Sequence, residues 1–341
     1  MSKKIKYTHA KLIVNPGAGK VENASKNLKL VTGYLKKNGF QVDVAFAKPK
    51  EKATPIARRA IKDGYKYVIA MGGDGTIEAV MRGLIDSKVR LGIVPAGTEN
   101  NIAKSLGIPT DLKEACDLIG ADHIRKMDMG LVKTRNGKKF VFFELATIGL
   151  SAAIYPAASK VASGKLSSIK SAALTFMHQE TKPTVFLTMN DESKIEVETM
   201  LVMVSNTPSF GKNFMVAPKA SLQDGLLDIS VYPDFSKAEL FSYYAAVMDG
   251  GYSGEGKVQQ YQARKLKIKA SPKLKVMADG EALGKGTVTI KVLPDALRII
   301  TPKKSLGLES LPKGADETIV SEPISPPVGK NHHEDSVITL G

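Results

Sequence analysis

The run Tyr67-Val68-Ile69-Ala70-Met71-Gly72-Gly73-Asp74-Gly75-Thr76 decides the fold, together with its counterpart Leu91-Gly92-Ile93-Val94-Pro95-Ala96-Gly97-Thr98. Each is a short apolar, β-branched stretch, then a glycine-bearing turn, then a helical pattern. Two such turns so close in sequence place backbone N–H groups at neighbouring strand ends of a parallel sheet. Open α/β sheets bind anionic ligands at that edge.

Outward from these turns, residues 10–130 alternate strand and helix. Strands are predicted at Lys11–Asn15, Phe40–Ala45, Tyr67–Met71 and Leu91–Val94. Helices are predicted at Val21–Lys37, Thr54–Asp63, Ile77–Leu84 and Asn100–Leu106, with Gly39 and Gly64 stopping the first two. Repeated units of this kind predict a doubly wound parallel sheet, an α/β nucleotide-binding domain over residues 1–130. After Asp128-Met129-Gly130 the pattern changes. Lys133 to Leu145 reads as two strands joined at Asn136-Gly137, and an alanine-rich helical segment runs from Ser151 to His178. Short strands follow at Thr184–Met189, Glu196–Ser205, Leu227–Tyr232, Arg264–Lys269, Lys273–Met277 and Thr287–Lys291, with turn signals at Asn190-Asp191, Asp224-Gly225 and Asp279-Gly280. These predict an antiparallel β-rich, sandwich-like domain over residues 131–301, with its last strands returning to the first domain and the active site in the cleft between them. Residues 302–341 hold prolines and acids with few aromatics, a composition that predicts disorder.

Composition narrows the function classes. The net charge is +15, and after Pro302 four lysines face six acids, so the excess positive charge lies wholly before that point. A basic body suits an anionic partner: a nucleotide, a nucleic acid or an anionic membrane face. The single cysteine, Cys116, excludes an intrachain disulfide and reads as a small buried hydrophobe in a helix. No apolar stretch reaches transmembrane length, and the basic N-terminus leads straight into a strand, so a cytoplasmic protein is expected.

Three loops share the binding edge. Asn15-Pro16-Gly17-Ala18-Gly19-Lys20 ends the first strand without Walker A or Gly-x-Gly-x-x-Gly spacing, and by itself could be an ordinary strand–helix turn. Beside it, the glycines of Gly72-Gly73-Asp74-Gly75-Thr76 let the backbone approach a phosphate without obstruction by Cβ. Asp74 would repel an anion, but suits a cation or its water held beside phosphates. A tight turn with Thr76 as N-cap would need one glycine, not three.

Taken with Pro95-Ala96-Gly97-Thr98-Glu99-Asn100 and Asp128-Met129-Gly130, the sequence closely resembles the diacylglycerol kinase catalytic-domain family. That family includes soluble bacterial lipid kinases and, more distantly, sphingosine and ceramide kinases. Asn206 with Gly211, Ala217-Pro218-Lys219-Ala220, Asp224-Gly225-Leu226-Leu227-Asp228 and Asp279-Gly280-Glu281 resemble its later motifs in order, over residues 10 to about 301. NAD kinases share the first motif; the Pro-Ala-Gly-Thr-Glu-Asn turn and Asp-Gly-Leu-Leu-Asp favour the lipid kinase branch. The resemblance implies that Asn15, Pro16, Gly17, Ala18, Gly19, Gly72, Gly73, Asp74, Gly75, Thr76 and Thr98 contact ATP. It implies a structural Mg²⁺ held by Asp224 with groups at Ser221 and Leu226. It also implies a catalytic base in Asp279-Gly280-Glu281, with either acid eligible. There are departures: Glu78-Ala79 stands where the family has Asn-Glu, Gly97-Thr98-Glu99-Asn100-Asn101 where it has Gly-Thr-Gly-Asn-Asp, and Ala47 where a threonine is expected.

The resemblance therefore implies ATP- and Mg²⁺-dependent phosphorylation of a lipid hydroxyl, diacylglycerol to phosphatidic acid foremost. The partner is lipid at a membrane surface, through peripheral contact with anionic headgroups and without nucleic acid; a homodimer is compatible. The apolar segment Leu145 to Phe176 could line a lipid pocket or simply be core. The alternatives are a kinase for another lipid alcohol, such as a sphingoid base, and a nucleotide- or lipid-binding regulator weakened by Glu78, Glu99 and Asn101.

Overall fold

The computed structural model describes residues 7–18, 23–47, 52–150, 182–210, 214–248 and 257–303. Strands β1 (Thr8–Val14), β2 (Phe40–Phe46), β3 (Tyr67–Gly72) and β4 (Arg90–Pro95) run parallel in the order β2-β1-β3-β4. Alternate residues of these strands face opposite ways, and each face is covered by helices. Ile13, Val68, Ala70, Leu91 and Ile93 pack with Ile56, Ala57 and Val80 of α2 (Ala53–Lys62) and α3 (Asp74–Leu84). Leu12, Val14, Ile69 and Met71 pack with Val31 and Leu35 of α1 (Ala24–Lys37), with α4 (Asn101–Ser105) leading on to α5 (Leu112–Ala121), which adds Cys116 and Ile119. Two-sided burial explains why β3 and β4 are apolar throughout rather than alternating.

The sheet does not end at β4. Strands β5 (Ile124–Thr134), β6 (Lys139–Phe142), β8 (Thr184–Met189), β9 (Ser193–Glu198), β15 (Lys265–Ser271) and β18 (Val288–Ile300) extend it to ten strands. β18 is the join: its Arg298 and Ile299 pair parallel with β4, and its Val288 to Lys291 pair antiparallel with Ile268 to Lys265 of β15. Antiparallel β5 accompanies both halves, past an irregularity between Leu293 and Leu297. Gly130 lies inside β5, so the chain on either side of it belongs to one hydrogen-bonded surface.

A second sheet has the order β14-β13-β10-β7-β16-β17, from β7 (Leu145–Gly149), β10 (Leu201–Ser205), β13 (Leu227–Val231), β14 (Gln259–Ala263), β16 (Lys275–Ala278) and β17 (Glu281–Lys285). Ile148, Val202, Val204 and Ile229 of this sheet pack against Val132, Leu187, Leu266 and Ile290 of the first, the sandwich core. A small hairpin of β11 (Ser209–Phe210) and β12 (Phe214–Met215) and the helix α6 (Lys237–Met248) complete the described elements. All described residues fall within one compact unit.

Three predicted boundaries need correction. Helix α3 starts at Asp74, not Ile77, because Gly73 in an extended conformation is its N-cap and Asp74 suits the positive helix end. The single strand predicted over Glu196–Ser205 is two strands in different sheets, broken at a corner where the buried Thr199 hydroxyl lies 2.8 Å from the Tyr232 carbonyl oxygen. The strand predicted from Thr287 runs on to Ile300. The alanine-rich segment Ser151 to His178 and the tail from Lys304 lie outside the described residues.

Candidate active site

The three loops meet at the C-terminal edge of β1, β3 and β4. Gly73 and Gly97 face each other backbone to backbone: a Cβ on Gly97 would sit 2.4 Å from the Gly73 Cα, and one on Gly72 would lie 2.7 Å from the Thr76 side chain. Only glycine lets the second and third loops close to this distance. Ala96 N–H donates to the Gly72 carbonyl, and Asn15 N–H to that of Met71, so strand register carries the loops with it. The Asn15 side chain adds a crosslink, with Nδ2 donating to Thr76 Oγ1 at 3.1 Å while Oδ1 accepts from Gly17 N–H at 3.0 Å. Asn100, held in the left-handed region at φ 54°, accepts from Gly97 N–H through Oδ1 at 2.8 Å. Asp74 Oδ1 accepts from the Ile102 N–H at 2.9 Å, which ties the first turn of α3 to α4. That bond gives Asp74 a job the sequence did not show, while its second oxygen has no hydrogen bond among the described residues. Thr98 and Glu99 are exposed, and Gly19 lies outside the described residues.

Asp279 and Glu281 flank the tight turn between β16 and β17, with Asp279 at φ 40° and Gly280 at φ 75°. Their environments are opposite. The Asp279 side chain is fully buried; Oδ2 accepts from Phe143 N–H at 2.7 Å, and Oδ1 from Glu144 and Leu145 N–H, both at 3.1 Å. Burial holds its carboxyl above the usual range, against the pull of those three N–H groups and of Arg82. Glu281 is exposed to solvent at the start of β17. Beside Asp279, Arg82 Nη2 donates to Glu78 Oε2 at 3.1 Å, and Nη1 lies 3.8 Å from Asp279 Oδ2. Burial, then the facing Asp279 charge, pushes the Glu78 carboxyl up to about 8, despite the Arg82 cation. In the sequence Glu78 stands out only as a departure from the family pattern, and Arg82 does not stand out at all. The signal available was their i, i+4 spacing on one helix.

Ser221, Asp224 and Leu226 form a compact turn before β13. Asp224 Oδ1 accepts from Leu226 N–H at 3.0 Å, and Ser221 Oγ from Gln223 N–H at 3.2 Å. Asp128 on β5 anchors the turn: its N–H donates to the Leu222 carbonyl, Oδ2 accepts from Gly225 N–H at 2.7 Å, and Oδ1 from Asp295 N–H at 2.8 Å. Buried Asn206 ties β5 to the β6–β7 link, donating to the carbonyls of Asp128 and Phe143. Among the described residues no three His, Cys, Asp or Glu side chains converge as an ion site.

Comparison with known proteins bears on both halves of the chain. Residues 9–132 match the diacylglycerol kinase catalytic domain, and residues 147–301 the YegS C-terminal NAD kinase beta sandwich-like domain. The chain is similar to a diacylglycerol kinase of Bacillus subtilis (strain 168), 29% identical over 301 residues, covering 86% of this chain and 97% of the relative. It is similar also to a diacylglycerol kinase of Mycobacterium tuberculosis, 26% identical over 271 residues, covering 79% and 87%. In fold it resembles the crystal structure of a diacylglycerol kinase from Bacillus anthracis, with a TM-score of 0.65, 24% identity and coverage of 88% and 99%. The yeast NADH kinase complexed with NADH is a more distant structural neighbour, with a TM-score of 0.53, 9% identity and coverage of 93% and 90%. The two matched domains together take in most of the chain, and with these relatives they support a lipid kinase that carries a diacylglycerol kinase catalytic domain.

Proposed function

We propose that this protein transfers the γ-phosphoryl group of ATP to the free hydroxyl of diacylglycerol at a membrane surface. One observation carries the reading: the Gly73 loop, closed against Gly97, starts the helix whose Arg82 approaches the Asp279 turn, so a phosphate cradle and an acid pair share one frame. In this reading Asn15 to Ala18, Gly72 to Thr76 and Thr98 line the triphosphate site. Catalysis of this kind is chiefly positioning and charge stabilisation.

The two acids then take different parts. Asp279 spends both carboxylate oxygens on backbone N–H groups and is closed to solvent, which suits an anchor. Glu281, exposed two residues later, is the base. The acceptor oxygen attacks the γ-phosphorus, the new P–O bond forms as the β,γ-bridging P–O bond breaks, ADP leaves with that electron pair, and the hydroxyl proton passes to Glu281. The oxygen-only donor set of Asp224, Ser221 and Leu226 fits a hard divalent cation such as Mg²⁺, which when bound would stiffen the turn beside Asp128. Peripheral contact with anionic headgroups follows from the net charge of +15, since no helix among the described residues is long and apolar enough to cross a membrane.

The test is incubation of the purified chain with labelled ATP, Mg²⁺ and a panel of lipid alcohols in mixed micelles. Labelled phosphatidic acid is expected. Transfer to a sphingoid base alone would move the substrate assignment, and ATP binding without transfer would replace the kinase by a regulator.

A further inference from the structure

Neither Glu78 nor Arg82 takes or gives a proton in the phosphoryl-transfer step, yet both are largely buried, with side chains 14% and 22% exposed. One guanidinium there faces two carboxylates. Arg82 hydrogen-bonds to Glu78, but at 3.8 Å it reaches Asp279 only as an ion pair. Its Nη1 is buried without a hydrogen-bond partner, and its guanidinium lies 4.9 Å from the Phe140 ring centre. The cation is therefore unevenly shared, and two negative charges with one positive would leave a net charge out of water. Asp279, with three backbone donors, is the better holder of charge, so the proton of the pair rests on Glu78. The charged groups acting on Glu78 are Asp279 from the β16–β17 turn, and Arg82 and Asp74 from α3 itself; from β6 the Phe140 ring lies against the Arg82 guanidinium.

We propose that Glu78 and Arg82 form a protonation-dependent latch that positions the Asp279–Glu281 turn against α3. With Glu78 uncharged, the Arg82 cation answers Asp279 alone, and the turn carrying the base is held to the helix that starts the phosphate cradle. Ionised Glu78 claims Arg82 and leaves Asp279 as an uncompensated buried charge, which loosens the turn. Glu78 is thus a positioning residue, and the inference rests on the kinase reading above. The sign follows from linkage. The folded chain holds this proton more tightly than the unfolded chain, so the stabilisation is complete at low pH and is lost as pH rises through about 8.

The full-length chain, with ATP, Mg²⁺ and dioleoylglycerol in mixed micelles, is assayed at pH 7 and pH 9. The wild-type rate should fall by about tenfold, as one ionisation near pH 8 requires, with the loss in kcat rather than in KM for ATP. In Glu78→Gln the rate should be level between the two pH values. Glu78→Met, which removes the titrating group with a different shape, should give the same level ratio if the glutamine variant misfolds. A fall in either folded variant equal to that of wild type would overturn the latch. Melting temperature over the same range separates this from the parent reading. Should the wild type phosphorylate no lipid, a wild-type Tm that drops more steeply than that of Glu78→Gln still supports the latch, and parallel curves overturn it.

Discussion

The Cα of Gly73 lies so near Gly97 that a methyl group on Gly97 would sit 2.4 Å from it, whereas one on Gly73 would reach only 3.2 Å from the Gly97 Cα. The first contact is with backbone, which cannot swing aside, and the second needs a shift of a few tenths of an ångström. Gly97→Ala should therefore lower stability by about 1–3 kcal/mol, as overpacking does, and weaken ATP binding; Gly73→Ala should do less of both. Thermal melts and ATP titration calorimetry check the order, and equal effects would mean that the loops are not set by this contact.

Asp279 and Glu281 should separate cleanly under mutation. Asp279→Asn keeps one acceptor oxygen but turns its amide N–H groups toward at least one of the backbone donors of Phe143, Glu144 and Leu145, leaving that buried donor unpaired at a cost of about 1–3 kcal/mol. Its Tm should fall. Glu281→Gln removes an exposed carboxylate, so its Tm should stay close to wild type while kcat drops by about 10²–10⁴. A Glu281→Gln variant with unaltered kcat would remove Glu281 as the base.

Cys116 is buried between α1 and the sheet, and burial pushes its thiol up to about 12. At pH 8 it stays protonated and out of reach, so a disulfide reagent should modify it only as the chain unfolds. Labelling should follow the global unfolding curve in urea; fast labelling of the native chain would contradict this packing.

Binding to vesicles rich in anionic phospholipid should weaken as salt rises, since roughly 1 kcal/mol for each well-placed Lys or Arg is subject to screening. Sedimentation of the chain with vesicles across a salt series measures this. Salt-independent binding would point to apolar insertion instead.

Much of the fold is legible in the chain because its local signals agree. The apolar runs of β3 and β4 fall within a residue of their predicted ends, and Asn190 and Asp191 take the positive φ that their turn signal implies. The start of α3 at Asp74 is masked in the sequence because Asp-Gly-Thr is turn-like by propensity, yet at a helix N-terminus the same residues meet free N–H groups and a favourable dipole. The corner at Thr199 was readable in principle. Lys194 to Glu198 alternates polar and apolar, whereas Leu201 to Val204 is apolar throughout, and that change marks the passage from a one-sided to a fully buried strand.

The sequence by itself determined the strand–helix alternation, the glycine loops and the acid pair, because each is written in residues close together along the chain. Tertiary structure alone decided which acid is buried. The three N–H groups that hold Asp279 come from residues 143–145, more than 130 positions away, and Arg82 comes within 3.8 Å of it from α3. It likewise decided that β18 joins both halves in one sheet, a pairing between segments whose own sequences name no partner. Hydrogen-bond satisfaction and desolvation are set by what surrounds a group in space, and no local pattern encodes that.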